Sequence, residues 1–365
     1  MSDLRIECGA QSTEVIVRPN VLDEFGSLLS RMIPGPARPQ VVVITDKLVG
    51  GIYGAAMLSS LKSADFEPLE YRIEPGEASK SLEVLGNAYR FLADHTVARD
   101  AVVVALGGGV VSDLAGFVAA TWMRGVRFAV CPTTLEANID ACIGGKTGIN
   151  LPGGKNLIGA FHQPMLVAVD PTCLKTLDDR DVRAGLAESI KHALISSRTF
   201  LDWHRTNVKA LLALDDALIP ELILRNLRIK AKIVEQDTLE QAGVRVLLNF
   251  GHTIGHAIEA CCEFELRHGE CVALGMLAAC RLSHSMGLLA KPTLTNVEAI
   301  LSDFGLPTRL TRRIDAGRVM AAIRHDKKIR GGAQHFVLLE GVGQPVVRDD
   351  VPEQQVQEAY ESLLP

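Results

Sequence analysis

The fold class is decided by residues 101–116, which read AVVVALGGGVVSDLAG. Six apolar residues run directly into three glycines, and a helical pattern follows. A short, continuously apolar run is typical of a strand buried on both faces of a parallel sheet. Glycines at the carboxyl end of such a strand let the backbone approach a phosphate, and the N-terminus of the next helix favours negative charge. The stretch matches neither G-x-G-x-x-G nor a Walker A loop, and a tight strand-to-helix turn is the alternative.

Similar patterns on both sides extend this strand into a sheet. The predicted strands are 14–18, 40–45, 68–73, 101–106, 127–131 and 166–169. The predicted helices between them include 23–32, 53–64 and 82–95. Alternation of strand and helix predicts a Rossmann-like α/β domain with a mostly parallel sheet and helices on both faces.

The chain changes character after about residue 174, where the strand runs stop. The helices predicted beyond this point are 183–194, 210–235, 252–262, 270–286, 294–304 and 352–364. We therefore expect an α/β domain of residues 1–172 followed by an all-α domain of residues 173–365. A length of 365 residues suits two domains.

Composition excludes several classes of protein. A net charge of −5 argues against a general nucleic-acid binder. The longest apolar stretch, 101–122, contains three consecutive glycines and Asp113, which makes it a poor membrane span. The N-terminus lacks the basic start and apolar core of an export signal, and the eight cysteines form no Cys-x-x-Cys pair. Scattered thiols without a signal predict a cytoplasmic protein.

Polar residues follow several of the predicted strands. Asp46 ends one strand, the segment 76–80 (GEASK) follows another, and Thr133 and Thr134 follow a third. Because the carboxyl ends of parallel strands meet at one edge of a sheet, these groups are expected to lie beside the glycine turn. A carboxylate there can bind ribose hydroxyls, so the edge predicts a dinucleotide site.

A basic, glycine-rich stretch spans residues 140–156. It contains Lys146 and Lys155, and Arg124 lies upstream. Such a stretch can surround a small anion with charge-assisted hydrogen bonds. The alternative is a solvated surface loop.

Histidines and one glutamate give the strongest metal signal. His252 and His256 are four residues apart on a predicted helix, so they share one face, and His268 follows. Glu188 and Lys191 lie three apart on another predicted helix. A carboxylate with two or three imidazoles is a catalytic zinc-type set, and the absence of His-Glu-x-x-His disfavours a zincin protease. The spacing leaves open which histidines are ligands, and packed histidines are the alternative.

Together these segments resemble the dehydroquinate synthase family of sugar-phosphate cyclases. The resemblance extends from Asp46 to about Leu339. The matching motifs are 107–109 (GGG) with Asp113, 132–135 (PTTL), 144–148 (GGKTG), 154–161 (GKNLIGAF), 183–188 (RAGLAE), 251–257 (GHTIGHA) and 268–270 (HGE). It implies an NAD-binding α/β domain followed by a helical metal- and substrate-binding domain.

The resemblance also implies residue roles. The implied metal ligands are Glu188, His252 and His268, with His256 as an active-site histidine. The residues implied for substrate binding and catalysis are Asp140, Lys146, Asn156, Lys191, Lys230, Arg245, Asn249 and, for the phosphate, Lys327 or Lys328. Those expected to bind NAD are Asp46, Glu77, Lys80, Gly108, Gly109, Val110, Asp113, Thr133, Thr134, Lys155 and Thr176. Arg124 matches an arginine that the family lends across a dimer interface, which implies a homodimer.

The implied substrate is 3-deoxy-arabino-heptulosonate 7-phosphate, converted to 3-dehydroquinate in the shikimate pathway with NAD and zinc or cobalt. The implied steps are transient oxidation, phosphate elimination, reduction, ring opening and aldol closure. Three alternatives remain: another cyclase, such as an aminodehydroquinate, valiolone-type or deoxyinosose synthase; a metal-dependent polyol dehydrogenase; and an inactive metabolite-binding protein. Lys146, Lys230 and Arg245 favour a carboxylated substrate. Glu136 and Cys142 depart from the family's usual residues.

Overall fold

A computed structural model describes residues 3–33, 35, 38–152, 154–262, 265–325 and 335–365. The strands of this part are, in chain order, β1 (Leu4–Cys8), β2 (Gln11–Val17), β3 (Val41–Asp46), β4 (Pro68–Ile73), β5 (Val102–Gly107), β6 (Arg127–Pro132), β7 (Lys146–Leu151), β8 (Gly154–Phe161), β9 (Leu166–Val169), β10 (Phe336–Gly341) and β11 (Gln344–Arg348). The α-helices are α1 (Val21–Met32), α2 (Lys47–Ser63), α3 (Leu82–Asp94), α4 (Gly109–Thr121), α5 (Asp179–Ser196), α6 (Arg198–Thr206), α7 (Val208–Leu212), α8 (Leu218–Gln236), α9 (His252–Cys261), α10 (His268–Ser285), α11 (Lys291–Asp303), α12 (Ala316–His325) and α13 (Glu353–Glu361).

A mostly parallel sheet forms the core of the N-terminal part. Among the described residues it has seven strands in the order β1-β2-β9-β6-β5-β3-β4, and only the β1–β2 pair is antiparallel. Val102, Val104 and Leu106 of β5 pack in a core with α1 and α2. Val103 and Ala105 point to the opposite face and are also fully buried, so both faces of β5 are covered. The predicted Rossmann-like fold class is confirmed.

Each predicted strand is present, with ends shifted by up to three residues, but strand β1 and the hairpin β7–β8 of this part were not predicted. The glycine-rich stretch 140–156, interpreted as a loop, contains β7 and the start of β8, which form an antiparallel pair. Its glycines allow the two backbones to approach closely, because a Cβ built on Gly159 would lie 2.1 Å from the Thr147 carbonyl oxygen. Sequence patterns miss such a strand because glycine normally weakens strand propensity.

The chain divides into two compact units. The first contains residues up to Leu177 together with Ile219–Leu239, and the second contains Asp178–Leu218 and Glu240–Pro365. The expected domains, 1–172 and 173–365, differ from these units by residues 173–177 and by the segment that carries α8.

Among its described residues, the second unit has helices and one β-hairpin, β10–β11. The prediction that strands stop after about residue 174 is therefore wrong for residues 336–348, which form this hairpin. The helix predicted over 210–235 is also interrupted: α7 ends at Leu212 and α8 begins at Leu218. Leu214 between them has a φ of 53°, which an α-helix cannot accommodate.

Close packing between helices in the second unit depends on glycines of α10. A Cβ built on Gly275 would lie 1.9 Å from the carbonyl oxygen of Gly251, just before α9. A Cβ on Gly269 would lie 1.9 Å from the carbonyl oxygen of Ala184 in α5. Backbone contacts this short exclude any side chain, so these glycines set the separation of α5, α9 and α10. No helix among the described residues is long and apolar enough to cross a membrane.

Candidate active site

The glycine turn after β5 leaves the start of α4 open to a ligand. Gly108 precedes the helix, and Gly109 and Val110 form its first turn. A Cβ on Gly108 would lie 2.9 Å from Cγ2 of Thr134. The residue before α4 is a glycine and has no side chain to cap the helix. The first N–H groups of α4 are therefore available to bind an anionic ligand.

A buried hydroxyl adjoins this turn. Thr133 is 3% exposed, and its N–H donates to the Gly107 carbonyl at 3.0 Å. Its Oγ1 has no hydrogen-bond partner among the described residues. A buried polar atom of this kind calls for a partner from a bound molecule or water, so the turn fits the phosphate-bearing part of a nucleotide.

A buried lysine organises the polar groups around the turn. Lys80 is 4% exposed, and its Nζ lies 2.7 Å from Oδ2 of Asp113 and 2.5 Å from Oδ1 of Asn156. Oε1 of Glu77 lies 3.5 Å from the same Nζ and accepts from Nδ2 of Asn150 at 2.7 Å. Burial lowers the pKa of Lys80, but the carboxylates of Asp113 and Glu77 outweigh burial and leave this pKa raised. Asn150, which the sequence analysis did not single out, belongs to this Lys80 cluster.

Three other residues expected to bind NAD are Asp46, Thr176 and Lys155. Asp46 accepts from a backbone N–H in the first turn of α2 at 2.8 Å. Oγ1 of Thr176 lies 2.9 Å from the hydroxyl of Tyr53. Nζ of Lys155 lies 4.0 Å from Oε1 of Glu77, at the edge of the Lys80 cluster. A role for these three residues in NAD binding stays a prediction.

Asp140 and Lys230 are brought together although they are 90 residues apart. Nζ of Lys230 donates to the Asp140 carbonyl at 2.6 Å and also contacts its carboxylate. Lys230 lies on α8, which belongs to the first unit. Lys146, at the start of β7, and Arg124, with a φ of 67°, are both exposed.

Cys142 is a packed residue. It is 2% exposed, and burial raises its pKa to about 12. A thiol reacts as its thiolate, so this side chain is not an activated nucleophile at neutral pH. The eight cysteines, all within the described residues, are buried and form no disulfide bond.

In the second unit, Glu188 lies at the centre of the predicted metal ligands. Its Oε1 is 3.3 Å from Nε2 of His252 and 3.3 Å from Nε2 of His268. Its Oε2 is 2.5 Å from Nζ of Lys191, and both members of this pair are 1% exposed. Burial raises the pKa of Glu188, but Lys191 and His252 outweigh burial and hold this pKa well below its usual range. The carboxylate is therefore charged.

The second ring nitrogens of these two histidines are also engaged. Nδ1 of His252 lies 3.1 Å from the Phe250 carbonyl oxygen, and Nδ1 of His268 lies 3.3 Å from Oε2 of Glu259. Burial lowers the pKa of His252, which favours the neutral imidazole that binds metals. With Nδ1 as the donor, each ring presents the Nε2 lone pair towards Glu188.

These donors fit a divalent metal ion. Two ligands of a tetrahedral ion at about 2.0–2.1 Å lie about 3.3 Å apart, which is the separation of Glu188 Oε1 from each Nε2. His256 brings a third imidazole, and ligand nitrogens of His252, His256 and His268 lie within 4.8 Å of one another. Imidazole and carboxylate suit zinc and cobalt.

A salt bridge between Arg180 and Glu270 connects α5, which carries Glu188, with α10, which carries His268. Nε and Nη2 of Arg180 on α5 each lie 2.7 Å from a carboxylate oxygen of Glu270 on α10. Glu270 also accepts from the Arg267 N–H at 2.8 Å and so caps α10. This bidentate pair gives Glu270 of the HGE motif a role in fixing the start of α10.

Two further site residues precede α9, in the turn Arg245–Asn249. Arg245 is 2% exposed, and Asn249 is half-buried. Lys327 and Lys328 lie outside the described residues.

Comparison with known proteins identifies the family of the chain. Residues 70–184 match the family profile described as 3-dehydroquinate synthase N-terminal, and residues 185–329 match 3-dehydroquinate synthase C-terminal. The chain belongs to the 3-dehydroquinate synthase family. A 3-dehydroquinate synthase of Desulforamulus reducens is 40% identical over 357 residues, covering 98% of both chains. One of Symbiobacterium thermophilum is 40% identical and covers 98% of this chain and 99% of its own.

Solved structures share the fold of this 3-dehydroquinate synthase family member. The 2-epi-5-epi-valiolone synthase ValA of Streptomyces hygroscopicus, with NAD⁺ and Zn²⁺ bound, is 30% identical with a TM-score of 0.88, covering 100% of this chain and 98% of its own. A 2-deoxy-scyllo-inosose synthase complexed with carbaglucose-6-phosphate, NAD⁺ and Co²⁺ has a TM-score of 0.90 and covers 99% and 100% of the two chains. At 24% identity, the latter likeness shows the fold alone.

Proposed function

We propose that the chain is a 3-dehydroquinate synthase, which converts 3-deoxy-arabino-heptulosonate 7-phosphate to 3-dehydroquinate and phosphate. This reaction serves the shikimate pathway and thus chorismate and aromatic amino acid biosynthesis. The observation that carries the proposal is the 40% identity to 3-dehydroquinate synthase over 98% of both chains. The proposed ligands and substrate-binding cations are all present in this sequence.

We further propose that the enzyme uses NAD and a divalent metal ion, as the NAD⁺ and Zn²⁺ bound to ValA suggest. The proposed carboxylate and imidazole ligands suit zinc or cobalt. When bound, NAD supplies a reversible hydride acceptor, and the ion supplies a Lewis acid for the hydroxyl that is oxidised. The glycine turn and the Lys80 cluster would hold NAD. Glu188, His252 and His268 would hold the ion, and the 3.3 Å spacing of their donor atoms supports this choice.

The chain's own cations would bind the substrate. The substrate carries a carboxylate and a phosphate, and a protein of net charge −5 can bind both only through local basic groups. Lys230 is pre-oriented by Asp140, and Arg245 is held in a buried turn. Such fixed charges need no reorganisation as the substrate reacts, which is the main source of electrostatic catalysis. His256, beside the proposed ligands, is assigned to hold or move a substrate proton.

We also propose a cytoplasmic homodimer in which Arg124 acts at the subunit interface. Its side chain is exposed, and its φ of 67° fixes an uncommon backbone conformation just before Gly125. The oligomeric state can be measured by light scattering of the purified protein.

Turnover by the purified protein tests the proposed function. With NAD and zinc or cobalt, we expect one phosphate released for each 3-dehydroquinate formed and no net accumulation of reduced NAD. Treatment with a chelator should abolish turnover, and added zinc or cobalt should restore it. Net production of reduced NAD would instead indicate a polyol dehydrogenase.

The activity of another sugar-phosphate cyclase should be measured in the same assay, because the 2-epi-5-epi-valiolone synthase ValA is 30% identical across the full chain. Sedoheptulose 7-phosphate and the amino analogue of the heptulosonate are the comparison substrates. Turnover of either one without turnover of 3-deoxy-arabino-heptulosonate 7-phosphate would assign the chain to another sugar-phosphate cyclase.

Replacing Lys80 by methionine should weaken NAD binding and destabilise the first unit. The change removes the cation shared by the partly buried carboxylates of Asp113 and Glu77, and loss of a hydrogen bond to a charged group lowers the free energy of unfolding by about 1.5–3 kcal/mol. We expect the NAD dissociation constant to rise by about tenfold or more, measured by fluorescence titration. The matched control is Lys47→Met, whose 60%-exposed side chain pairs with Glu74 at the surface and should contribute less than about 1 kcal/mol. Unchanged NAD affinity in Lys80→Met would contradict the assignment.

A further inference from the structure

Glu259 is a buried carboxylate beside the proposed metal ligands. No role was predicted for it from the sequence. It lies on α9, seven residues after His252 and three after His256, so the three side chains share one face of the helix. Glu259 is 5% exposed, and its Oε2 lies 3.3 Å from Nδ1 of His268. The GHTIGHAIE sequence thus brings one proposed ligand and the carboxylate partner of another into the site.

The two proposed ligand histidines are held in different ways. Nδ1 of His252 meets a backbone carbonyl, whereas Nδ1 of His268 meets a side-chain carboxylate. His268 is also the first residue of α10, and its side chain is 27% exposed compared with 11% for His252. A more exposed ring at a helix start has more freedom to turn, so His268 depends more on a fixed partner.

We propose that Glu259 is a positioning residue for metal binding. By accepting from Nδ1–H of His268, it fixes the tautomer and ring orientation in which Nε2 faces the ion. Carboxylates bound to a ligand histidine orient the ring and strengthen the metal site in this way. The inference rests on the proposed function, since it requires an ion held by Glu188, His252 and His268.

Metal titration of the full-length, metal-depleted protein tests this role without NAD or substrate. Zn²⁺ and Co²⁺ dissociation constants are measured by competition with a chelator. Glu259→Met fills a similar volume without an acceptor, and we expect it to weaken binding by about 10–100-fold. Glu259→Gln keeps an acceptor oxygen, so it should lose less affinity than Glu259→Met. Wild-type affinity in Glu259→Met, or an equal loss in both variants, would overturn the proposal.

Two further variants keep the test decisive. Glu298→Met removes another carboxylate that contacts α10, through Arg281 at 3.1 Å, and its metal affinity should match that of wild type. An equal loss in this control would show that the effect is not specific to His268. Circular dichroism of the apoproteins checks folding; if Glu259→Met does not fold, Glu259→Asp, one methylene shorter, replaces it. Weaker binding by Glu259→Asp is expected, and wild-type affinity would overturn the proposal.

The same titration separates this inference from the proposed function. If the wild-type protein binds neither Zn²⁺ nor Co²⁺, the ligand assignment fails, and the role of Glu259 fails with it. If the wild-type protein binds metal and Glu259→Met binds equally well, only the role of Glu259 is refuted. Metal affinity that depends on Glu259, without turnover of the heptulosonate, would support the inference and refute the proposed substrate.

Discussion

Glu188→Ala is expected to abolish divalent-metal binding and turnover together. The substitution removes the carboxylate whose Oε1 lies 3.3 Å from Nε2 of both His252 and His268. Without the carboxylate, the proposed ligands His252 and His268 are only two of the usual three protein ligands of a catalytic zinc site. Metal retained through the nearby His256 would show that this ring is a ligand. We expect metal content near zero by elemental analysis and phosphate release at background. Retained activity would refute the metal assignment.

The same substitution should destabilise the second unit, because Lys191 loses its carboxylate partner at 2.5 Å. Removing one member of a buried ion pair lowers the free energy of unfolding by about 3–5 kcal/mol. The double variant Glu188→Ala with Lys191→Met removes the remaining charge and should recover much of this stability in denaturant unfolding. It should not recover metal binding. Recovery of metal binding would show that Glu188 acts on stability alone.

Gly275→Ala is expected to separate α9 from α10 and disrupt the proposed metal site at a distance. The added methyl would lie 1.9 Å from the carbonyl oxygen of Gly251, the residue before His252. The obstacle is backbone, so the helices must move apart. Overpacking of this kind destabilises a protein by about 1–3 kcal/mol, sometimes more. We expect a lower melting temperature and weaker Zn²⁺ binding, measured on the same preparation.

The matched control for this prediction is Gly86→Ala, also inside a helix. A Cβ at Gly86 would meet nothing within 4 Å, so only helix propensity changes. Alanine is favoured over glycine in a helix by about 0.5–1 kcal/mol, and this variant should be as stable as wild type or more so. If Gly275→Ala behaved like Gly86→Ala, the close approach of α9 and α10 would not be required.

Local patterns predicted the parallel strands of the sheet but neither the antiparallel edge strand β1 nor the hairpin β7–β8. β5 and the turn after it follow directly from an apolar run that ends in glycines. The hairpin β7–β8 was missed because its glycines interrupt the pattern by which strands are recognised in a sequence. The placement of α8 with the first unit could not be predicted, because contacts such as that of Lys230 with Asp140, 90 residues apart, leave no local pattern in the sequence.

The candidate site was predictable in part. Spacing alone placed His252 and His256 on one helical face, but only the family resemblance favoured His268 over His256 as a ligand. The positions of Nε2 relative to Glu188 depend on how α5, α9 and α10 pack, which a linear pattern does not contain. Glu259 had a usable signal, its position seven residues after His252, because helical residues at that spacing share a face.

The interleaving of the two units affects how the protein can be synthesised. The chain passes between the units at residues 177–178, 218–219 and 239–240. On the ribosome, the N-terminal sheet can form early, but its last helix emerges only after a segment of the other unit has been made. Cotranslational folding of the first unit is therefore complete only when residue 239 has left the exit tunnel. A fragment ending at residue 172 lacks Lys230, and a fragment beginning there carries α8 without its partner, so the enzyme is poorly suited to division into two separately expressed halves.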